Sequence, residues 1–522
     1  MMRHLVAALA LAVMLAVPAA GKELHRGNLA EPDTLDPAKW FTTYESEILR
    51  DLFNGLLQVD SAGNEIPGAA ESWTISDDGM TLTFKLRADG KWSDGKSVTA
   101  DDFVLGFRRA FDPKTISAYA NFGYVILNAR EVVEGKVPVD QLGVRAIDPL
   151  TFEVKLHEPS QTILWLFAGY PCFFPTPAHA LAAYGEAWVQ PGRMVSNGPY
   201  KLEAWVPQDR ITLAKNENYF DAASVKIDKV FYYPTDDDAA AVKRFRAGEL
   251  GLNPRFPPSM FEMLKRDMPS ETRTDPASWM GYLVFNHADP KFADARVRRA
   301  LSLGIDRETI VKRVLNNGEL AAWGVAPPGM RDFVSSGAGD FSAMPMAERQ
   351  AEARRLLAEA GYGSGNPLTF TLMHRIGEAN KRAALAIVDM WRAIGVNARI
   401  EANEVKIHYA KLREKQFEVA DAGFSAPPDA EYFIYLLKSE SEVNFGGWSN
   451  AEYDRLANEG NRERDLKKRG ELYAAAEKIA IDDTALAPVY IPVNRALVQN
   501  WVTGYSPNPI GYHPSRWLDV TR

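Results

Sequence analysis

The residue types able to do chemistry are present in this chain but are not grouped for it. His157, His179, His287, His374, His408 and His513 are scattered, without the short spacings that ligate a metal. Each reads as a hydrogen-bonded or surface histidine. Asp236-Asp237-Asp238 follows Pro234-Thr235 and reads as a helix start, where acids favour the positive end of the helix dipole. Cys172, the only cysteine, sits in Tyr-Pro-Cys-Phe-Phe-Pro; this apolar context reads as buried filler, and no disulfide can form within the chain. His-Glu-x-x-His, Cys-x-x-Cys, Gly-x-Ser-x-Gly and the phosphate loop are all missing. Paired carboxylates of a glycoside hydrolase have a spatial spacing, not a sequence one. A secreted hydrolase on peptides or glycans therefore stays open beside a binding protein without catalysis.

The elements that would position such residues can be read in several places. Thr81 to Arg87 alternates polar and apolar residues, as a half-buried strand does. Thr99 and Asp102 form a capping-box start for a helix carrying Phe103, Phe107 and Ala110 on one face. Asp306 caps a helix over 307–315 that stops at Asn316-Asn317-Gly318. Further on, 368–373 reads as a strand, 379–394 as a helix closed by Gly395, and 396–400 as a strand. That order predicts parallel pairing with a right-handed crossover. Ligands bind outside the carboxyl ends of such strands, so the chain after Leu372 and the turn at Ala402-Asn403 are candidate cleft rim.

Composition sets the class. The chain has 522 residues and a net charge of −8 with both signs interspersed, which suits two or three globular domains and no nucleic-acid partner. Arg3 and His4, the apolar run Leu5 to Val17 and the small residues Ala19-Ala20-Gly21 predict a signal peptide over 1–21, cut before Lys22. The run is too short to span a bilayer comfortably, and no cysteine follows it for a lipid anchor. The expected location is periplasmic.

Longer motifs then converge. Asn197-Gly-Pro-Tyr-Lys-Leu, Trp205, Ile211 to Tyr219 and Arg246-Ala-Gly-Glu249 come in the middle. Leu283-Val-Phe-Asn286, Asp294-Ala-Arg-Val-Arg-Arg-Ala-Leu301 and Ile305-Asp-Arg307 follow. Leu35-Asp36-Pro37 and Ser72-Trp73 precede them, and Pro488-Val489-Tyr490 with Val493-Asn494 closes the set. In this order the chain resembles the periplasmic oligopeptide/dipeptide solute-binding family over essentially its whole mature length. The resemblance implies an α/β fold, the two-lobed clam of class II periplasmic binding proteins with an additional third lobe. It implies a discontinuous lobe I (22–53, 197–282 and 487–522), an extra lobe II (54–196) and an opposing lobe III (283–486). It implies a monomer without cofactor or metal that captures a peptide or peptide conjugate and delivers it to the separate membrane permease subunits of an ABC importer. A chemoreceptor adaptor is the other role open to such a protein.

The same resemblance supplies a ligand-contacting set. Tyr119 matches a contact from the extra lobe, Asn444 a polar contact from the opposing lobe, and Phe41, Thr43 and Tyr490 complete the lining. In relatives a Gly-Trp-x-Ala-Asp-Tyr run carries an aspartate for the peptide amine. Here the run is Gly423-Phe424-Ser425-Ala426-Pro427-Pro428-Asp429, with Pro427 in place of the carboxylate and Phe424 as the aromatic wall. Asp421 stands where an oligopeptide-binding relative has an arginine, and Asn380 where it has a histidine. Trp279 and Ser425 replace a cysteine pair. Either Asp429 or Asp421 substitutes for the missing acid, or the ligand amine is blocked, as in an acylated or sugar-linked murein-type peptide. The second is the expectation.

Overall fold

The computed structural model describes residues 21–160, 162–331, 333–335 and 341–522. The expected signal peptide, apart from Gly21, lies outside the described residues. Three sheets organise the chain. A seven-stranded sheet has the order Thr272–Pro276, Val493–Val498, Leu252–Asn253, Glu23–Asn28, Lys229–Pro234, Arg210–Lys215, Tyr200–Val206. A six-stranded sheet runs Leu320–Ala321, Leu486–Ile491, Trp279–Phe285, Val419–Ser425, Thr369–Arg375, Asn397–Asn403. A four-stranded antiparallel sheet, Ala70–Ile75, Thr81–Leu86, Thr151–Lys155 and Val144–Asp148, belongs to the stretch between the first two strands of the large sheet.

Local chemistry explains the elements. The helix Ala100–Phe111 starts on a reciprocal capping box of Thr99 and Asp102. Asp306 caps Arg307–Thr309 by accepting from the Thr309 N–H at 3.1 Å. The helix then widens, Asn316 N–H reaching the Val311 carbonyl at 3.0 Å, and Asn316 itself takes the left-handed cap at φ 55°. Thr369–Arg375, the helix Glu378–Arg392 and Asn397–Asn403 form the parallel crossover unit, in register from Thr369 opposite Asn397 to Arg375 opposite Asn403. Trp279–Phe285 reads as a continuous apolar run because it is central and buried on both faces. Met280, Tyr282 and Val284 join one core cluster, while Leu283 and Phe285 join another.

The chain enters and leaves the four-stranded body side by side. Asn54 N–H donates to Asn197 Oδ1 at 3.0 Å, and Asn197 Nδ2 donates back to the Asn54 carbonyl at 2.8 Å. That body shares one continuous apolar core with the large sheet. The passage to the six-stranded sheet is different: two short crossings, at 277–278 and at Pro492, with a strand of one sheet on each side. The sequence divides these bodies at 282 and 487, a few residues inside the six-stranded sheet. Trp279 to Tyr282 and Ala487 to Ile491 carry no composition break that would mark the change of sheet.

Candidate functional site

Both crossings open onto one cavity of about 760 Å³. All three bodies line it. Thr43, Asn494, Ile510 and Tyr512 come from the large-sheet body, and Tyr119, Phe122, Trp165 and Tyr170 from the four-stranded body. Trp279, Leu315, Glu319, Ala379, Ser425, Ala426, Pro427 and Tyr490 come from the six-stranded body.

One wall is aromatic. Trp40 stacks on Tyr119 at 4.2 Å between centroids, and Phe122 meets Tyr170 at 5.1 Å. Tyr119 donates its hydroxyl to the Phe41 carbonyl at 2.7 Å, which fixes the ring beside the start of the helix Thr43–Leu52. Arg50 lies 3.4 Å over the ring of Tyr512, an attraction between cation and ring face. Burial raises the Tyr119 hydroxyl above its usual range. Phe41 itself is 67% exposed, at the rim rather than in the lining.

The opposite wall is the end of Val419–Ser425 and the turn after it. Side chains alternate across a strand. Ala422 and Phe424 therefore point to the core, Phe424 meeting Phe433 edge-on at 5.5 Å, while Asp421, Gly423 and Ser425 face the other way. The aromatic wall expected of Phe424 is supplied instead by Trp279. A β-carbon added at Gly423 would fall 2.2 Å from the Trp279 ring, so only glycine leaves room for that indole. Trp279 in turn meets Tyr490 at 5.5 Å, and burial pushes the Tyr490 hydroxyl up to about 12. Ser278 ties the crossing to the turn, its hydroxyl donating to the Ala426 carbonyl at 2.7 Å.

Neither candidate acid is free. The Asp421 carboxylate accepts from Arg375 Nη2 at 2.9 Å, Arg375 Nε at 3.0 Å and the Arg375 backbone N–H at 2.9 Å, and the Asp421 carbonyl meets His408 Nε2 at 2.7 Å. It faces a small neighbouring void with Asn380 rather than the main cavity. Asp429 is 5% exposed and takes both Arg469 donors, at 2.9 and 2.8 Å. It also caps the helix Ala430–Tyr435 through the Glu431 N–H at 2.9 Å. Burial works against the charge of Arg469, but Asp429, Tyr473 and Glu431 more than offset it and hold the guanidinium above its usual range. A substituting carboxylate from either position would have to abandon these bonds.

Other expectations fare unevenly. Asn444 is 6% exposed and spends its amide on the Trp448 and Lys438 carbonyls, at 2.7 and 3.2 Å, holding its own loop. It lies outside the cavity lining, as does the turn at Ala402-Asn403, whereas Ala379 after the strand Thr369–Arg375 is part of it. Asp237 caps the helix Asp238–Arg246 and Asp238 pairs with Arg255 at 3.0 Å, the helix-start reading of the triple aspartate. Cys172 is buried and its thiol is pushed up to about 12 by burial. Sequence reading misses Phe122, Trp165, Tyr170, Glu319 and Tyr512. The four rings carry no signal beyond aromatic content, and Glu319 is one surface-type residue in a turn.

Comparison with known proteins is consistent across sequence and structure. Residues 64–445 match the bacterial extracellular solute-binding proteins, family 5 Middle. The periplasmic oligopeptide-binding protein OppA of Salmonella typhimurium is 38% identical over 489 residues, 92% of this chain and 89% of that one. The probable deoxycholate-binding periplasmic protein YgiS of Escherichia coli is 37% identical over 511 residues, 96% and 94% of the two chains. An unliganded open form of the murein tripeptide-binding protein MppA superposes with a TM-score of 0.92 at 34% identity, covering 96% of this chain and 98% of that one. No helix among the described residues is long and apolar enough to cross a membrane. This chain belongs to the bacterial extracellular solute-binding proteins of family 5.

Proposed function

We propose that this protein is the extracytoplasmic substrate-binding component of an ABC importer, acts in the periplasm without catalysis, and takes peptides or peptide conjugates. The observation that carries the reading is the 760 Å³ cavity at the two crossings, lined from all three bodies and floored by only a few residues of chain. Rotation about such short crossings is hinge motion, and a ligand that touches both sides favours the closed state. The likeness to the open form of the murein tripeptide-binding protein supports an open starting state here.

Broad aromatic surface suits varied side chains, and the main-chain groups of Ser278, Ala426 and Pro427, already hydrogen-bonded within the protein, present a fixed neutral surface opposite it. The wall at Pro427 offers no carboxylate, since proline has neither charge nor N–H donor, so the ligand presents neutral groups there. A blocked N-terminus, as in an acylated or murein-type peptide, meets that requirement. Native mass spectrometry of protein purified from its own periplasm should show the added mass of a peptide or peptide conjugate, and incubation with peptides and muropeptides should leave them intact. Accumulation of cleavage products would instead favour the hydrolase reading.

A further inference from the structure

The main cavity carries its charge at one point. Among the described residues that line it, seven are aromatic and one, Glu319, is an acidic or basic residue. Glu319 follows the turn Asn316-Asn317-Gly318, where Asn316 at φ 55° and Gly318 at φ 90° bend the chain tightly. It precedes the edge strand Leu320–Ala321. One carboxylate oxygen accepts the Asn317 N–H at 2.8 Å, which fixes the group without neutralising it. Among the described residues no ion-pair partner lies within 4.0 Å of it. Arg495 lines the adjoining smaller cavity, donates to the Asn317 carbonyl at 3.1 Å, and feels the Glu319 charge from beyond ion-pair distance.

We propose that Glu319 is the charge anchor of the cleft and binds an ammonium group of the ligand. This rests on the peptide-binding reading above and specifies it. A carboxylate enclosed by closing aromatic walls loses water, a cost of several kcal/mol unless a cation replaces it. An ammonium does so, and gains further from neighbouring ring faces. A ligand carboxylate finds no cation among the described lining residues and is repelled by Glu319.

The sheet order also gives a length. Leu320–Ala321 and Val419–Ser425 are separated by Leu486–Ile491 and Trp279–Phe285. Three strand spacings of ~4.8 Å put the Glu319 edge about 14 Å from the neutral Pro427 wall. At ~3.4 Å per extended residue, that is the reach of about four residues. The ligand therefore lies with a neutral end at Pro427 and its ammonium, α-amine or side-chain amine, at Glu319.

Calorimetry on the purified protein decides, with three probes: Ala-Ala-Ala-amide, N-acetyl-Ala-Ala-Lys-amide and N-acetyl-Ala-Ala-Ala-amide. Glu319→Gln keeps size and the acceptor for Asn317. It should weaken at least one ammonium probe on the order of tenfold, the scale of a lost charged hydrogen bond, and leave the neutral probe within about twofold. Which ammonium probe responds identifies the source of the cation. Glu319→Lys should reverse the preference, so that the neutral N-acetyl-Ala-Ala-Ala-amide binds more tightly than the ammonium probe that responds to Glu319→Gln. Equal losses for all three probes, or none, in both variants would overturn the anchor alone. Failure of the wild type to bind any of the three would overturn the peptide reading and the anchor with it.

Discussion

The two facing walls of the cleft use opposite chemistry. The wall built on Val419–Ser425 and its turn contains two acids, yet spends both on arginines of its own body, Asp421 on Arg375 and Asp429 on Arg469. The wall from the four-stranded and large-sheet bodies contains rings packed against one another and open to the cavity. The first wall's charges and the hydrogen bonds of its turn hold its shape and give the ligand a fixed surface. The second offers area that accepts many side chains without a fixed partner. A carboxylate near a cleft is therefore not automatically a ligand contact; its existing bonds decide.

Breaking the ionic wall should have the largest effect. Arg469→Met removes the two Arg469 donors to Asp429 and leaves a buried acid beside Glu431, whose oxygen Arg469 also holds at 2.9 Å, with Arg331 at 3.8 Å the cation that remains. Losing one partner of a buried pair costs about 3–5 kcal/mol. Chemical denaturation should show that loss, and the double variant Arg469→Met with Asp429→Leu should recover part of it. Unchanged stability in the single variant, and again when Arg331→Met is added to it, would mean that Asp429 is free to move, and would return it to the list of ligand acids.

The aromatic wall should fail differently, through protonation behind it. His513 is buried next to Tyr512, stacks on Tyr505 at 3.9 Å, and its carbonyl accepts from Arg26 at 2.8 Å. Burial first, and then Arg26, lower its pKa to about 3. Unfolded chain takes up the proton near 6.5 and folded chain does not until about 3. The unfolded state thus binds more protons across that window, so stability falls as pH drops from 6.5 toward 3 and is insensitive to this group above it. The limiting slope is about 1.4 kcal/mol per pH unit. His513→Asn should flatten the acid side of a plot of denaturation free energy against pH. A slope unaltered by that change would assign the acid sensitivity elsewhere, with His287, lowered to about 4 by burial, the next group to replace.

These contrasts also explain what could be read in the sequence. The crossover unit at Thr369–Asn403 and the cap at Thr99 were legible because local period and capping chemistry determine them. Tyr119, Thr43, Trp279, Ser425, Ala426, Pro427 and Tyr490 all reach the cavity. Phe424 and Asn444 do not, for reasons no single-residue reading contains. Strand alternation turns Phe424 inward, and two backbone carbonyls engage the amide of Asn444. The commitments of Asp421 and Asp429 depend on Arg375 and Arg469, which lie 46 and 40 positions away in the chain. Pairing at that distance is a property of the fold.

The smallest expected effect sharpens the comparison most, because it places a free acid on a wall whose acids are all engaged. Pro427 lines the cavity, and its carbonyl accepts from the Ser278 hydroxyl at 3.3 Å and from the Asp429 N–H at 2.7 Å. Pro427→Asp keeps that carbonyl and adds a carboxylate toward the ligand. No arginine is committed to it, since Arg469 already holds Asp429 and Arg375 holds Asp421. A free α-ammonium arriving at this wall would then meet a counter-charge, whereas an acylated amide would meet an acid it cannot neutralise. The gain is limited. Losing proline adds freedom to the unfolded chain, at about 0.4–1 kcal/mol of stability, and a partly hydrated ion pair contributes about 1 kcal/mol or less. Calorimetry with matched free and N-acetyl tripeptides should therefore show preference shifting toward the free amine by about fivefold, with little change in total affinity. Wild-type protein that already prefers the free amine, with that preference abolished by Asp429→Asn and retained by Glu319→Gln, would mean that Asp429 leaves Arg469 on closure and that the ionic wall binds ligand after all.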